Sequence, residues 1–311
     1  MRYSTSHSRR RDNTNMSHDP FESSQYTVAE LITAGEAYLS EYPLVYGHGT
    51  DNAFDESAWL VLEACGISPV EPVQSYEIPV TQDQLLRARQ WFKKRAHEKV
   101  PTAYLTGRAW FAGLEFTVDE RALIPRSPMA ELIHGEFAPW LTEAPGKALD
   151  LCCGGGCIAI ALASALPDCT VDAVDLSPDA LELAAINVEK HRLQGRVKLH
   201  QGDLFTPLTA SRQYDLIVSN PPYVDAEDMH NLAEEFSHEP QMGLAAGTDG
   251  LEIVAQMFAQ AKGYLKPDGV MFVEVGNSEQ ALESRFGHLG LVWIDFEFGG
   301  DGVFMINAAS L

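Results

Sequence analysis

Four stretches of the chain carry residue types that can hold and orient a small ligand. The first is Asp150-Leu151-Cys152-Cys153-Gly154-Gly155-Gly156-Cys157. Its glycines let the backbone turn sharply and lie against a ligand, and the helix start behind it offers free N–H groups. The second ends in Asp175-Leu176-Ser177, where a carboxylate can accept both hydroxyl protons of a ribose. The third is Gly202-Asp203-Leu204-Phe205. Here Asp203 can accept from an adenine amine while Leu204 or Phe205 covers the ring. The fourth is Asn220-Pro221-Pro222-Tyr223. Two prolines fix the backbone and remove N–H donors. The Asn220 side-chain oxygen and the Pro221 carbonyl then form a pair of acceptors for the two hydrogens of a planar –NH2 group, and Tyr223 offers a flat face to its π-system.

Each stretch also has a plainer reading: a tight turn, a solvated acid at a strand end, a helix N-cap, a rigid proline turn. Gly154-x-Gly156-x-x-Ala159, with Asp175 about 20 residues on, fits the dinucleotide fingerprint. The same residues equally suit S-adenosylmethionine, the loop then meeting the amino-acid part of the ligand.

The elements that must position these loops follow from periodicity. Strands are predicted over 148–151, 170–174, 197–200, 215–219 and 270–275, with a closing pair over 291–296 and 303–307. Helices are predicted over 158–166, 179–191 and 251–265, the last stopping before Pro267-Asp268-Gly269. Strands alternating with helices imply a mostly parallel sheet covered on both faces. Ligands of such sheets bind outside the carboxyl ends of the strands, where all four stretches fall. Upstream, Thr27 with Glu30 and Thr81 with Gln84 are candidate capping boxes, and Gly66 is a natural helix stop. Leu85, Ala88, Phe92 and Ala96 share one helical face. Short strands flank Gly113, and Pro125 and Pro128 introduce a helix running towards Trp140.

The 311 residues suffice for one large or two modest domains of about 100–200 residues. No stretch approaches the roughly 20 uncharged apolar residues of a membrane helix. The formal net charge is −22, from 44 acidic and 22 basic residues. That surface repels phosphate backbones and suits a basic partner. The 5 Cys are odd in number, three of them in one glycine-rich turn and none in a Cys-x-x-Cys pair. This is no secreted disulfide framework, and the trio lacks the spacing and nearby His of a zinc site. Reduced thiols in a cytoplasmic protein are expected. Residues 1–24 read as a disordered leader, Ser/Arg-rich over 1–17, with translation from Met16 as the alternative.

The glycine-rich loop, Asp175, Asp203 and Asn220-Pro-Pro-Tyr223 resemble the class I S-adenosylmethionine-dependent methyltransferases that act on planar amino groups. Pro125-Arg126 leading into Glu131, Glu239-Pro240 and Gly247-Thr-Asp-Gly250-Leu251 are similar to segments of the protein-(glutamine-N5) methyltransferases. The run 101–128 looks closest to the branch that methylates a glutamine of large-subunit ribosomal protein L-3. The resemblance covers residues 26–311. It implies an α/β fold: a seven-stranded Rossmann-like sheet with helices on both faces, plus a small N-terminal helical domain. It divides the chain into a leader (1–24), a helical substrate-recognition domain (25–100), a connector with short strands (101–128) and a methyltransferase domain (129–311).

The resemblance also implies S-adenosyl-L-methionine as cofactor, held by Asp150, Cys152, Cys153, Gly154, Gly155, Gly156, Asp175, Leu176, Asp203, Leu204 and Asn220. Asn220, Pro221, Pro222 and Tyr223 carry the chemistry, without a metal. The implied partner is ribosomal protein L-3, free or in an assembly intermediate, with no membrane and no direct nucleic-acid contact. Two departures stand out. Cys152 occupies the first glycine position of the family's loop and Gly155 a position that is often Ser. Pro125-Arg126-Ser127-Pro128-Met129-Ala130-Glu131 also differs from the release-factor branch. The rivals are that branch, a nucleic-acid amine methyltransferase, an NAD-dependent oxidoreductase, which leaves Asn-Pro-Pro-Tyr unexplained, and a non-catalytic ligand-binding protein.

Overall fold

A computed structural model describes residues 21, 23–68, 76–209, 214–247 and 249–311. Most of the expected leader, and part of the proline-rich connector that the sequence places after Gly66 (Pro69, Pro72, Pro79), lie outside them. Three helices open the fold: α1 (Val28–Ser40), α2 (Ala53–Cys65) and α3 (Gln82–Glu98). Both capping boxes form. The Thr27 N–H donates to Glu30 Oε2 at 2.8 Å and the Thr81 N–H to Gln84 Oε1 at 2.8 Å. Gly66 ends α2 at φ +70°, a left-handed turn that suits glycine. The helices pack on one another through Leu31, Leu39, Leu60, Leu85 and Phe92. Gly35 lets them close up, since a β-carbon there would stand 2.2 Å from the Phe92 ring and 2.3 Å from Ser57 Oγ. Phe21 is buried and stacked on Phe92 at 5.2 Å, so packing begins before residue 25, earlier than the expected end of the leader.

A short helix, α4 (Thr102–Thr106), leads into a hairpin of β1 (Arg108–Phe111) and β2 (Leu114–Thr117). Its two-residue turn has positive φ at Ala112 and Gly113, the twist that favours hairpins. Helix α5 (Met129–His134) is much shorter than the run predicted towards Trp140. Gly135 ends it, and Pro139, which cannot donate within a helix, bars its continuation.

The main sheet comprises β3 (Lys147–Leu151), β4 (Thr170–Asp175), β5 (Val197–Gln201), β6 (Tyr214–Ser219), β7 (Leu265–Glu274), β8 (Val292–Trp293) and β9 (Val303–Asn307). Its seven strands run in the order β5-β4-β3-β6-β7-β9-β8. The first five are parallel, and β9 lies antiparallel between β7 and β8. Helices α6 (Cys157–Ala165), α7 (Pro178–Lys190), α8 (Ala226–Asn231), α9 (Glu252–Ala261) and α10 (Glu279–Phe286) complete the chain.

Alternating side chains feed two cores. Ala148, Leu216, Val218 and Phe272 point to the face covered by α5 and α6. Leu149, Ile217, Met271 and Val273 point to the face covered by α9. Helix α9 stops at Ala261, short of the predicted 265. Tyr264 is already engaged at the start of β6: its carbonyl accepts from the Tyr214 N–H at 2.7 Å. Pro267-Asp268-Gly269 is then accommodated as a register shift within β7, whose Leu265 pairs with Tyr214 and Val270 with Leu216. The chain leaves β3 in one direction through β4 and β5 and returns to β6 on its other side. This reversal opens a crevice at the carboxyl ends of β3 and β6.

Candidate active site

A cavity of about 360 Å³ occupies that crevice, within the roughly 300–1,000 Å³ usual for small-molecule sites. Cys152, Cys153, Gly154 and Gly155 from the loop after β3 form its floor. Cys152 sits at φ +59°, a conformation that costs a residue with a β-carbon about 1–2 kcal/mol. Burial pushes the thiols of Cys152, Cys153 and Cys157 up, that of Cys157 to about 12. They are neutral and present a polarisable, weakly polar surface to the cavity.

Asp175 ends β4 on the same wall. Its Oδ2 accepts from the Gly154 N–H and its Oδ1 from the Ser177 N–H, each at 2.8 Å. The carboxylate is thereby fixed against the glycine loop, and each oxygen keeps a lone pair for a ligand hydroxyl. Burial raises its pKa, opposed by those backbone donors. Leu176 stands beside it, 55 % exposed, an apolar surface for a ligand to cover. After β5, Asp203 is exposed at the rim and Leu204 lines the cavity. Phe205 does not cover a ligand ring: it is fully buried and stacks on Tyr264 at 4.5 Å.

Two residues expected at the cofactor stand behind the wall instead. Asp150 is fully buried, and its Oδ2 accepts from the Ala159 N–H at 2.9 Å, holding the first turn of α6. Burial drives its carboxyl well above the usual range. Gly156 begins α6 at φ +80°, where a β-carbon would press on Ala184 at 3.2 Å.

Asn220, Pro221, Pro222 and Tyr223 leave β6 on the opposite wall. Tyr223 is held at three points. Its ring lies over Gly276, where a β-carbon would stand 2.6 Å away; its carbonyl accepts from Ser278 Oγ at 3.2 Å; its hydroxyl donates to Glu274 Oε1 at 3.3 Å. Backbone hydrogen bonds of 2.9 Å between Val224 and both Leu244 and Ala246 fold the segment 240–246 over the mouth, where Met242 is 58 % exposed.

Residue reasoning alone assigned no role to the connector, yet Leu123, Ile124, Pro125, Arg126 and Ser127 line the cavity. Arg126 donates to both oxygens of Glu239, at 2.5 and 2.6 Å, and the Ile124 N–H donates to the same carboxylate at 3.0 Å. Burial pushes Glu239 up, but neighbouring His48 and the Arg126 guanidinium outweigh it and hold the group at about 2. A buried triad lies behind: Arg95 donates to Glu56 at 2.8 Å and to Glu235 at 3.1 Å. Asn187 on α7 joins connector to loop, accepting from the Thr117 N–H and donating to the Thr117 and Gly155 carbonyls at 2.9–3.0 Å. Available signals were the Pro-Arg and Glu-Pro segments of the resemblance, and a glutamate inside the otherwise apolar strand 270–275.

Residues 137–298 match the methyltransferase small domain family. Over 293 residues the chain is 46 % identical to a ribosomal protein uL3 glutamine methyltransferase of Xanthomonas campestris, covering 92 % of each. It is 41 % identical over 294 residues to the protein of the same description from Burkholderia pseudomallei, covering 92 % of this chain and 95 % of that one. A solved methyltransferase from Pyrococcus furiosus aligns with 63 % of this chain and 89 % of its own, at 18 % identity and a TM-score of 0.47.

Proposed function

Because the chain belongs to the family of ribosomal protein uL3 glutamine methyltransferases, we infer that it transfers a methyl group to the side-chain amide nitrogen of a glutamine in uL3. S-adenosylmethionine is the donor, and when bound it supplies an electrophilic methyl on a sulfonium sulfur. The cavity fits it. Asp175 offers acceptors for the ribose hydroxyls, Asp203 an acceptor at the rim for the adenine amine, and Leu176 and Leu204 apolar cover. The observation that carries the reading is that Asn220-Pro-Pro-Tyr223 lines the same cavity as Asp175 and Gly154.

A carboxamide nitrogen is a poor nucleophile because its lone pair is delocalised into the carbonyl. Asn220 Oδ1 and the Pro221 carbonyl accept from its two N–H bonds. That fixes the direction of the lone pair and strengthens as the nitrogen becomes positive. Holding the reacting atoms in line contributes several kcal/mol. Tyr223, pinned on Gly276, keeps the amide plane in one orientation. The proton leaves the nitrogen after transfer.

Residues 25–100 serve in recognition of the substrate. Arg95 and His48 reach from this helical part to Glu235 and Glu239, so its placement is coupled to the cavity mouth. The net charge of −22 supports contact with basic surfaces of uL3 itself rather than with RNA. A ribosomal protein substrate supports a cytoplasmic site of action, and no described helix is long and apolar enough to cross a membrane. The test is incubation with methyl-labelled S-adenosylmethionine, unmethylated uL3 and ribosomal RNA. Label on one glutamine of uL3 is expected; label in RNA would overturn the assignment.

A further inference from the structure

Phe298 is 85 % exposed, more than any other large apolar side chain among the described residues. A single exposed apolar side chain needs no explanation by itself. This one differs in how it is mounted. The Glu131 carboxylate accepts from two successive backbone donors, the Glu297 N–H at 3.0 Å and the Phe298 N–H at 3.2 Å. Beyond it, Gly299, Gly300 and Gly302 hold φ at +88°, +100° and +67°, a backbone shape open to glycine and strained for other residues. A β-carbon on Gly300 would stand 2.7 Å from Pro128, and one on Gly302 2.4 Å from the Gly276 carbonyl oxygen. The loop is pinned on both sides of the ring that it presents to water.

Those anchors place Phe298 beside the active site. Pro128 follows Ser127, which lines the cavity, and Gly276 seats the Tyr223 ring. Gly276 and Asp301 also line a second cleft, of about 530 Å³, whose remaining wall comes from Asn277 and α10. Its charged side chains, Glu279, Glu283 and Asp301, are all acids, with no lysine, arginine or histidine among the described lining residues. The cation on α10, Arg285, donates to Asp249 at 3.0 Å and is not part of that lining.

We propose that Phe298 and this acidic cleft form a docking surface for a lysine- and arginine-rich stretch of uL3 next to the glutamine that is methylated. The proposal rests on the reading of Asn220-Pro-Pro-Tyr223 as the seat of that glutamine. Continuity favours this occupant: Gly276 belongs both to the seat of Tyr223 and to the cleft, so a polypeptide held at the tetrapeptide has the cleft as its next surface. Charge favours it too, since three acids attract cationic side chains and repel a phosphate backbone. The ring suits the same partner. Lysine and arginine lay their aliphatic stems on apolar surface, and their cations are drawn to an aromatic face. A ring on an already fixed backbone binds with little further ordering.

The experiment measures the Kd of unmethylated uL3 by calorimetry with S-adenosylhomocysteine present, at about 0.05 and 0.3 M salt. It compares the parent with Phe298→Ala and with the double variant Glu279→Lys/Asp301→Lys, and kcat and KM are measured beside it. Phe298→Ala is expected to weaken uL3 binding roughly 5–30-fold, the loss falling on KM rather than kcat. The double variant is expected to weaken it about tenfold at the lower salt and to flatten the salt dependence. Melting temperature and cofactor affinity report whether each variant is folded. A parental Kd for uL3 in either folded variant overturns the proposal, as does a lowered kcat at unchanged KM. If the double variant does not fold, Phe298→Ala decides alone, because its truncated ring lies outside the core. A parent that is dimeric and becomes monomeric in Phe298→Ala gives the ring to a second copy of this chain, and also overturns the proposal. An inactive parent, or a fully active Asn220→Ala, overturns the functional reading beneath. An active parent with a dead Asn220→Ala and parental uL3 affinity in the surface variants overturns this proposal alone.

Discussion

Asp175, half-buried, and Glu274, buried, are both carboxylates at strand ends, but they do different work. Asp175 holds Gly154 and Ser177 by their N–H groups and keeps a lone pair on each oxygen, which the proposed function gives to the ribose. Asp175→Ala is expected to weaken cofactor binding about 10–100-fold, since hydrogen bonds to charged groups contribute about 1.5–3 kcal/mol, while turnover at saturation changes less. Calorimetry beside saturated kinetics checks this, and unchanged affinity would remove the ribose role. Glu274 pays for its position in stability. Its folded pKa of about 7 lies above its ordinary 4.5, so the native state binds more protons than the unfolded chain between those values. Stability therefore falls as pH rises through that window. Glu274→Gln is expected to melt no lower than the parent at high pH, with its advantage shrinking towards pH 4.5. Thermal melts across that range test it; a variant less stable only at high pH would contradict it.

At the scale of elements, α1 crosses its neighbours closely enough that Gly35 has no room for a β-carbon. Gly35→Ala is expected to destabilise the chain by about 1–3 kcal/mol through overpacking, and denaturant unfolding measures it. The helices, the parallel strands and the four loops at their carboxyl ends were legible because periodicity, caps and glycine turns are local signals. The Thr27–Glu30 and Thr81–Gln84 boxes are both local in this sense. What escaped was set by distant partners. Nothing near Phe205 shows that it stacks on Tyr264 rather than on a ligand. Helix α9 yields at Ala261 because Tyr264 is claimed by Tyr214 on another strand. The Arg126–Glu239 and Ser127–Glu274 pairs join segments 113 and 147 residues apart, so no spacing rule reveals them. Asp150 and Gly156 were recognised as part of the loop, but only the fold shows that they support α6 from behind the wall.

Across the whole molecule, one buried cluster ties the helical part, the connector and the mouth of the cavity together. Arg126→Met leaves Glu239 buried without its bidentate partner, and breaking such a pair typically costs about 3–5 kcal/mol. Because Glu239 is depressed from 4.5 to about 2, its share of stability is complete above the upper value and is lost as pH falls towards the lower one. The parent should therefore lose stability through that acid window more steeply than Arg126→Met does, which pH-dependent denaturation reads directly. The net charge of −22 also makes association with a basic substrate salt-sensitive. Raising ionic strength from about 0.05 to 0.3 M is expected to lower kcat/KM for uL3 several-fold through a shorter screening length. A flat response would contradict that contribution.

In the proposed function all of this serves one event, the capture of a glutamine carboxamide against the Asn-Pro-Pro-Tyr loop. A crystal structure of the protein with S-adenosylhomocysteine and a glutamine-bearing uL3 peptide measures it most directly. The amide nitrogen should lie within about 3.2 Å of both Asn220 Oδ1 and the Pro221 carbonyl, with its face towards the cofactor sulfur. A carboxamide bound elsewhere, or with its oxygen turned to those acceptors, would contradict the account.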